Sequence, residues 1–200
     1  MELTEALRRR RMVRAYDPER PVPAAAVERV TAAALRAPSA GFTQGVSLLV
    51  LDGESDRGRF WAATSAAGSQ SGWLRGMRTA PVLLLVWTSE AAYLDRYSEP
   101  DKGWTDRDPA RWTSPYWYVD AGMASMAMLL SAVDQHLAAC FFGVPPGRVG
   151  PVRDTFGVPA DQLSVGVIAL GYGAAGGAPG SPDRRGRRSA QQLIHRGSWR

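Results

Sequence analysis

The chain has 200 residues, of which 45% are hydrophobic and 22% are charged. These values are typical of a globular protein with a core and exclude a disordered or membrane-embedded chain. The formal net charge is +5, and Lys102 is the only lysine, so arginine carries the positive charge. Because arginine grips phosphate and carboxylate through a planar fork, the composition is compatible with an anionic ligand. With one cysteine, no signal peptide and no long apolar run, we expect a cytoplasmic protein.

Hydrophobic spacing predicts alternating helices and strands along the chain. In chain order they are helix 4–10, helix 23–37, strand 46–51, helix 54–66, strand 81–87, helix 90–97, helix 116–137, strand 138–144, helix 145–156 and strand 163–170. Since the run 81–87 is apolar at every position, it suits a central strand covered on both faces. We therefore predict one α/β domain over residues 1–200, a three-layer α-β-α sandwich around about four strands.

Three further segments stand out from this order. Residues 98–115 form a long irregular loop with two tryptophans, and loops of this length are usually functional. The helix over 116–137 is apolar or small nearly all round, which predicts burial on most sides, and a partner subunit could supply part of it. The segment after residue 174 is rich in glycine and proline, and a basic extension, 184–200, closes the chain.

A G-x-G-x-x-G spacing at Gly171, Gly173 and Gly176 follows the last predicted strand. In a dinucleotide-binding fold a helix must open at the third glycine, so that its N-terminus takes the pyrophosphate. Here the chain continues Gly-Ala-Pro-Gly-Ser-Pro, which cannot open that helix. We predict instead that these glycines let the chain leave the sheet.

Arginine clusters lie near both ends of the chain, at 8–11 followed by Arg14, and at 184–188. Adjacent guanidinium groups repel each other, and a phosphate held between Arg10 and Arg14 would offset that repulsion. A solvated basic face is one alternative, and a nucleic-acid site is another. A nucleic-acid site usually adds a recognition helix or an aromatic platform, and we find neither beside the clusters.

The connection 37–45 reads Ala-Pro-Ser-Ala-Gly-Phe-Thr-Gln-Gly. Its small residues would let a backbone approach a flat ligand, although an ordinary helix–strand connection has the same composition. Hydrolytic and zinc chemistry fit poorly, because His136 and His195 have no zinc-ligand spacing and no G-x-S-x-G motif occurs. Cys140 lies in an apolar strand and is predicted to be a core residue.

Taken in order, these segments resemble the nitroreductase family. The N-terminal Arg-Arg-Met-Val-Arg-Ala-Tyr, 10–16, is similar to that family's R-R-S-x-R-x-[FY] signature. The segment 33–44 is similar to its A-x-x-A-P-S-x-x-N-x-Q motif. Residues 120–130 resemble its central interface helix, 165–172 its last core strand, and Arg187-Arg-Ser with His195 and Trp199 its C-terminal tail. The resemblance covers nearly the whole chain.

The resemblance implies a mixed sheet, an obligate homodimer with FMN at the subunit interface, and a C-terminal tail that reaches the partner subunit. It implies an oxidoreductase that passes a hydride from NAD(P)H to a planar acceptor such as a nitroaromatic or a quinone. It implies no catalytic side chain, because the flavin carries the chemistry. It also implies no metal, nucleic acid or membrane. In this family Pro38, Ser39 and Ala40 would reach the flavin from the partner subunit. The implied cofactor-binding residues are Arg10, Arg11, Arg14, Pro38, Ser39, Ala40, Gln44, Phe142, Gly143, Arg187 and Arg188.

Met12, Phe42 and Gly45 depart from the family pattern, which has serine, asparagine and proline there. Because Phe42 removes a polar contact to the flavin ring, a deazaflavin is the alternative to FMN. A family member that binds or sequesters its ligand with slow turnover is the alternative to an efficient enzyme. We expect the loop 98–115 to form a substrate lid whose rings stack on planar acceptors. The expected substrate and lid residues are Phe42, Trp104, Trp112 and Trp117.

Overall fold

The computed structural model describes residues 1–65, 71–177, 180–183 and 185–199. Its helices are α1 (Leu3–Arg9), α2 (Ala24–Ala34), α3 (Glu54–Thr64), α4 (Gly72–Arg78), α5 (Glu90–Ser98), α6 (Tyr116–Asp134), α7 (Pro146–Phe156) and α8 (Ala190–Leu193). Its strands are β1 (Val46–Leu51), β2 (Val82–Ser89), β3 (Ala138–Phe142) and β4 (Gln162–Gly171). Every predicted helix and strand is present. α4 and α8 were not predicted, since α4 has only seven residues, two of them glycine, and α8 has four residues.

The four strands form one sheet in the order β1-β2-β4-β3, and each neighbouring pair is antiparallel. The prediction of a mixed sheet is therefore wrong for the described strands. The connections from β1 to β2 and from β3 to β4 each begin and finish at the same end of the sheet. β2 therefore runs opposite to β1, and β4 runs opposite to β3. One parallel pairing lies outside the named strands, an isolated bridge between Met12 and Ala139 of β3.

Helices cover both faces of the sheet, as the apolar run in β2 predicted. α2 and α6 pack on one face, where Leu84 and Ile168 belong to their core. α3, α4 and α7 pack on the other face, where Leu85 and Val167 belong to a second core. All eight residues of β2 are buried, because the strand lies between these two layers. The three-layer α+β arrangement is thus confirmed.

α6 is only partly covered within the subunit. It leaves an apolar stripe exposed, made of Tyr118, Val119, Met123 and Met126. The helix also ends three residues earlier than predicted, because His136 adopts a left-handed backbone with φ 57°. The Leu137 N–H then donates to the Ala132 carbonyl at 2.8 Å, which closes the helix in a Schellman arrangement. No helix in the described ranges combines the length and apolarity that crossing a bilayer requires.

The segment that follows α1 extends the sheet beyond β3 and β4. Val13 N–H donates to the Ala139 carbonyl at 3.0 Å, and Asp17 N–H donates to the Tyr172 carbonyl at 2.8 Å. Gly171 permits this packing, because a Cβ there would overlap the rings of Pro81 and Tyr16. The described residues after β4, through 177, form no helix, so these glycines serve close packing where the chain leaves the sheet.

α4 packs against the same N-terminal segment. A Cβ on Gly76 would overlap the Arg14 carbonyl oxygen, so only glycine lets the helix approach this closely. The short helix therefore fixes the backbone of Arg14.

This contact predicts opposite effects for two helical glycines. Gly76→Ala should lower the free energy of unfolding by about 1–3 kcal/mol, because the Arg14 backbone must move. Gly58→Ala in α3 meets no atom within 4 Å and should raise it by about 0.5–1 kcal/mol. Urea unfolding of both variants measures the difference, and equal effects at the two positions would show that α4 does not press on Arg14.

Candidate functional site

The four adjacent arginines after Leu7 are not equivalent. Arg8 and Arg9 both form salt bridges with Glu5, within one helical turn. Arg11 Nη1 donates to the carbonyl oxygens of Arg8, at 2.7 Å, and Arg10, at 3.1 Å, so it caps the end of α1. Arg10 differs, because its Nη1 is buried and has no hydrogen-bond partner among the described residues. A buried guanidinium nitrogen without an acceptor is costly, so Arg10 is the arginine that fits an anion.

Arg14 lies half-buried, four residues beyond Arg10. Its Nη1 donates to the Met12 carbonyl at 3.0 Å. It also lies near Cys140, where burial raises the pKa of the thiol and the charge of Arg14 opposes that rise. Cys140 is a buried free cysteine, which confirms its prediction as a core residue.

Met12 stands where the family signature has serine, and its side chain turns towards β3. The Phe141 N–H lies 3.4 Å from the Met12 Sδ, a distance at which the sulfur accepts a hydrogen bond. Met12 also packs against the cores on both faces of the sheet. This thioether therefore anchors the arginine segment to the strand that ends in Phe142.

The connection 37–45 is held by a buried carboxylate on α6. Asp120 is 2% exposed, and its Oδ2 accepts from the Ala40 N–H at 2.8 Å and from the Tyr93 hydroxyl at 2.7 Å. Burial and the Asp120 carboxylate both raise the pKa of Tyr93, which keeps its hydroxyl protonated as a donor. Within the connection, the Gln44 N–H donates to Ser39 Oγ at 3.0 Å. These bonds fix the backbone that was predicted to approach a flat ligand.

The same connection has three residues with left-handed backbone: Gly41 at φ 60°, Phe42 at φ 54° and Gln44 at φ 55°. Asparagine tolerates this conformation better than phenylalanine, so Phe42 is strained by about 1–2 kcal/mol. Its side chain is 74% exposed. Gly45 has a different cause, because a Cβ there would overlap the Tyr93 ring. A proline at position 45, as in the family motif, would not fit beside Tyr93.

A cavity of about 390 Å³ opens beside Phe142 and Gly143, on the face covered by α3, α4 and α7. Its lining is mostly apolar, with Arg148 the charged residue in it. The residues that line it are Phe60, Trp61, Thr64, Ser65, Ser71, Trp73, Leu74, Phe142, Gly143, Val144, Pro145 and Arg148. We call it the aromatic cavity. A smaller cleft of about 60 Å³ lies beside Pro38, Ser39 and Gln44.

The predicted site residues therefore fall into two groups within one subunit. The arginine half-site, Arg10, Arg14, Phe142 and Gly143, lies at the β3 edge of the sheet. The loop half-site, residues 38–45, lies at the β1 edge. In the order β1-β2-β4-β3 these edges are three strand spacings, about 14 Å, apart.

Comparison with known proteins identifies the family to which this chain belongs. The family model described as "Nitroreductase family" matches residues 7–172. The chain belongs to the nitroreductase family. Its fold is similar to that of an inferred nitroreductase from Exiguobacterium sibiricum 255-15 solved in complex with FMN, with a TM-score of 0.77, 18% identity and coverage of 100% and 98% of the two chains.

Two further solved structures have the same fold. An inferred nitroreductase from Desulfovibrio desulfuricans, also in complex with FMN, has a TM-score of 0.72 at 23% identity and covers 100% of this chain and 99% of its own. The NfrA1 nitroreductase of B. subtilis has a TM-score of 0.74 at 15% identity, with 100% of this chain and 75% of that chain covered. At these identities the likeness establishes the fold.

In this nitroreductase-family chain the loop 98–115 forms an aromatic cluster. Trp112 contacts Tyr97 at 4.4 Å between ring centroids, Trp104 at 5.4 Å and Trp117 at 6.4 Å. The Tyr97 ring packs where a Cβ on Gly41 would lie, so the cluster adjoins the loop half-site. None of these rings lines the aromatic cavity. Their stacking on a substrate stays a prediction that requires a site shared across subunits.

In the C-terminal extension the described residues 185–194 and 196–199 are exposed. Arg188 Nη2 donates to the Gln192 carbonyl at 3.1 Å, and Ser189 forms a capping box with Gln192 at the start of α8. Across the described residues, neither Arg187 nor Arg188 contacts Arg10 or Arg14 in the same subunit. Arg184, the first residue of the second arginine cluster, lies outside the described residues. The capping role of the tail arginines at a phosphate therefore stays a prediction.

Sequence reasoning missed several residues that shape this site. Asp120 was recognised only as part of a helix, although a buried carboxylate with two donors is what fixes Ala40. Trp61, Trp73 and Arg148 were missed, because they come from three different helices that the sequence gave no reason to bring together. The sequence Gly-Trp-Leu-Arg-Gly, 72–76, lies outside every predicted element, and it was the one signal that could have indicated this helix.

The Asp120 network predicts a specific coupling with Tyr93. Asp120→Ala leaves the buried Tyr93 hydroxyl and the part-buried Ala40 N–H unpaired, and should cost about 1–3 kcal/mol of unfolding free energy. In a double-mutant cycle, Asp120→Ala and Tyr93→Phe should couple by about 1.5 kcal/mol or more, as expected for a charge-assisted hydrogen bond. Tyr97→Phe is the matched control, and its cycle with Asp120→Ala should be near additive. Additive effects of Asp120→Ala and Tyr93→Phe would show that the Asp120 carboxylate is not stabilised by the Tyr93 hydroxyl.

Proposed function

We propose that this protein is a homodimeric FMN-dependent oxidoreductase that passes a hydride from NAD(P)H to a planar acceptor such as a nitroaromatic or a quinone. The observation that carries the proposal is the buried, unpaired Nη1 of Arg10. It lies in the segment that matches the family signature, and two structural neighbours of this chain were solved with FMN.

The residues at the β3 edge fit a flavin phosphate and ring. Arg10 supplies a donor that lacks an acceptor, and Arg14 lies on the same segment with its backbone fixed by α4. Arg10 and Arg14 would hold the phosphate and the pyrimidine edge, with Arg11, Arg187 and Arg188 in supporting roles. Phe142 and Gly143 would lie at the reactive edge. The family's serine contact is absent here, because the Met12 sulfur is already used by Phe141.

The separation of the two half-sites supports a dimer. A ligand that contacts both Arg10 and Ser39 within one subunit would have to cross the sheet. A twofold partner removes this difficulty, because the loop half-site of one subunit can face the arginine half-site of the other. The exposed apolar stripe on α6, with Leu35 and Phe42 near the loop half-site, offers a surface for such a contact. We propose that the exposed Trp199 end of the tail also reaches the partner.

When bound, FMN would supply the redox chemistry. The protein would supply position and electrostatics. The guanidinium of Arg14 would stabilise negative charge at the pyrimidine edge, which favours the reduced cofactor. The apolar walls of the aromatic cavity would keep water from the reacting edge. Neither role needs a catalytic acid or base.

The backbone strain at Phe42 favours a second candidate function. A residue held in a costly conformation often serves a ligand, and this ring has no polar group for a flavin edge. A deazaflavin, or a member that binds its ligand with slow turnover, is therefore the second candidate. Mass spectrometry of the released chromophore separates FMN from a deazaflavin, and anaerobic bleaching by NAD(P)H separates turnover from storage.

The phosphate role of Arg10 is tested by FMN binding. Arg10→Gln should weaken FMN binding by about tenfold to a hundredfold, because a charge-assisted hydrogen bond is lost. Arg8→Gln is the matched control, since Arg8 already pairs with Glu5 on an exposed surface. Flavin fluorescence titration of the apoprotein measures both. Equal FMN affinity in wild type and Arg10→Gln would contradict the proposed cofactor site.

A further inference from the structure

We propose that the aromatic cavity binds an acceptor that is an aromatic carboxylate, and that Arg148 binds its carboxylate. This inference rests on the proposed function, because it names the substrate class of that same site. It is carried by the charge and shape of the cavity.

The walls of the aromatic cavity suit a planar ring. Trp61 and Phe142 stack with 5.9 Å between ring centroids and 8° between ring planes. Trp73 meets Phe142 edge-on at 5.4 Å. Such arrangements extend to a further ring by offset stacking or edge contacts. The volume of about 390 Å³ lies within the range of small-molecule sites.

Each hydroxyl group that lines the cavity has one hydrogen-bond partner within the protein. Thr64 Oγ1 donates to the Phe60 carbonyl at 2.8 Å. Ser71 Oγ accepts from the Leu74 N–H at 3.2 Å, and Ser65 Oγ accepts from Arg78 Nη2 at 3.3 Å. The indole N–H of Trp61, a lining residue, is buried and has no hydrogen-bond partner among the described residues. These uncharged groups cannot distinguish an anion from a neutral ring by charge. Selection of an anion over a neutral substrate therefore falls to the charged residue.

Arg148 is the one charged residue among the described residues that line the cavity. It is half-buried on the first turn of α7, and its guanidinium forms no hydrogen bond or ion pair within the described ranges. Arg153 on the same helix differs, since its Nη2 donates to the Gln162 carbonyl at 2.6 Å. An unpaired, half-buried guanidinium beside aromatic walls suits a carboxylate, which accepts its two parallel donors.

The cavity also adjoins the arginine half-site. Trp73 lines the cavity, and Gly76, one turn further along α4, presses on the Arg14 carbonyl. Gly143 and Phe142, whose ring meets that of Trp73, also line the cavity. A ring bound there with its carboxylate at Arg148 would lie beside the edge at which the proposed cofactor reacts.

The test compares two acceptors of the same shape, 4-nitrobenzoate and 4-nitrobenzamide. Calorimetric titration of the oxidised holoenzyme should show wild type binding the carboxylate about tenfold more tightly than the amide. Arg148→Gln should abolish this preference by weakening the binding of the carboxylate, while Arg148→Lys should keep part of it. Arg57→Gln removes an equal charge from α3, where Arg57 donates to the Asp52 carbonyl, and should keep the full preference. The KM values of steady-state reduction should follow the same order.

The inference is overturned if wild type binds both acceptors equally, or if the preference survives in Arg148→Gln. Failure of the proposed function gives a different result, namely protein without flavin or flavin that NAD(P)H does not bleach. Because calorimetry reads binding without turnover, a colourless protein would still report whether Arg148 selects the carboxylate. A flavin-loaded, active protein without carboxylate preference would contradict only the role of Arg148.

Discussion

The width of a four-stranded sheet separates the residues that this chain offers to a ligand. The segment with Arg10 and Arg14 extends the sheet outside β3, whereas the connection with Ser39 precedes β1 at the far edge. Hydrogen bonding fixes the spacing between strands, so neither group can move towards the other without breaking the sheet. The family fold, the unpaired arginine nitrogen and the exposed stripe on α6 have a common explanation if two subunits share each site.

Two departures from the family pattern, Gly45 and Met12, each have a structural counterpart in this chain. Gly45 replaces proline because the Tyr93 ring occupies that space, and the Tyr93 hydroxyl binds Asp120, which also holds Ala40. Met12 replaces serine and uses its sulfur to hold the arginine segment to β3. Both sets of contacts strengthen the backbone of a half-site and remove polar groups from it. In the site we propose, specificity would then depend on the remaining charges, Arg10, Arg14 and Arg148.

Local patterns in the sequence predicted much of the fold. The strand 46–51 was predicted with its observed bounds, and the fully apolar run in β2 predicted helices on both faces. The antiparallel order was not predictable, because strand direction depends on connections between distant segments. The end of α6 was placed too late, since a left-handed histidine at position 136 has no signal in hydrophobic spacing.

The candidate site was predictable only where the family motifs supplied it. The arginine run suggested an anion, yet only packing shows that Glu5 neutralises Arg8 and Arg9 and leaves Arg10. The aromatic cavity could not be predicted, because its walls come from α3, α4 and the start of α7. The tryptophans of the loop 98–115 looked like separate ligand contacts in the sequence, whereas in the fold they first pack on one another.

Mixing two defective subunits tests the shared site most directly. Arg10→Gln with Arg14→Gln damages one half-site, and Ser39→Tyr blocks the other, so each variant alone should fail to hold FMN. After the two are unfolded and refolded together, half of the twofold pairs are mixed, and each mixed pair has one intact site. The account predicts recovery of about a quarter of the wild-type FMN content. No recovery from mixtures that do form dimers, or full FMN binding by either variant alone, would contradict it.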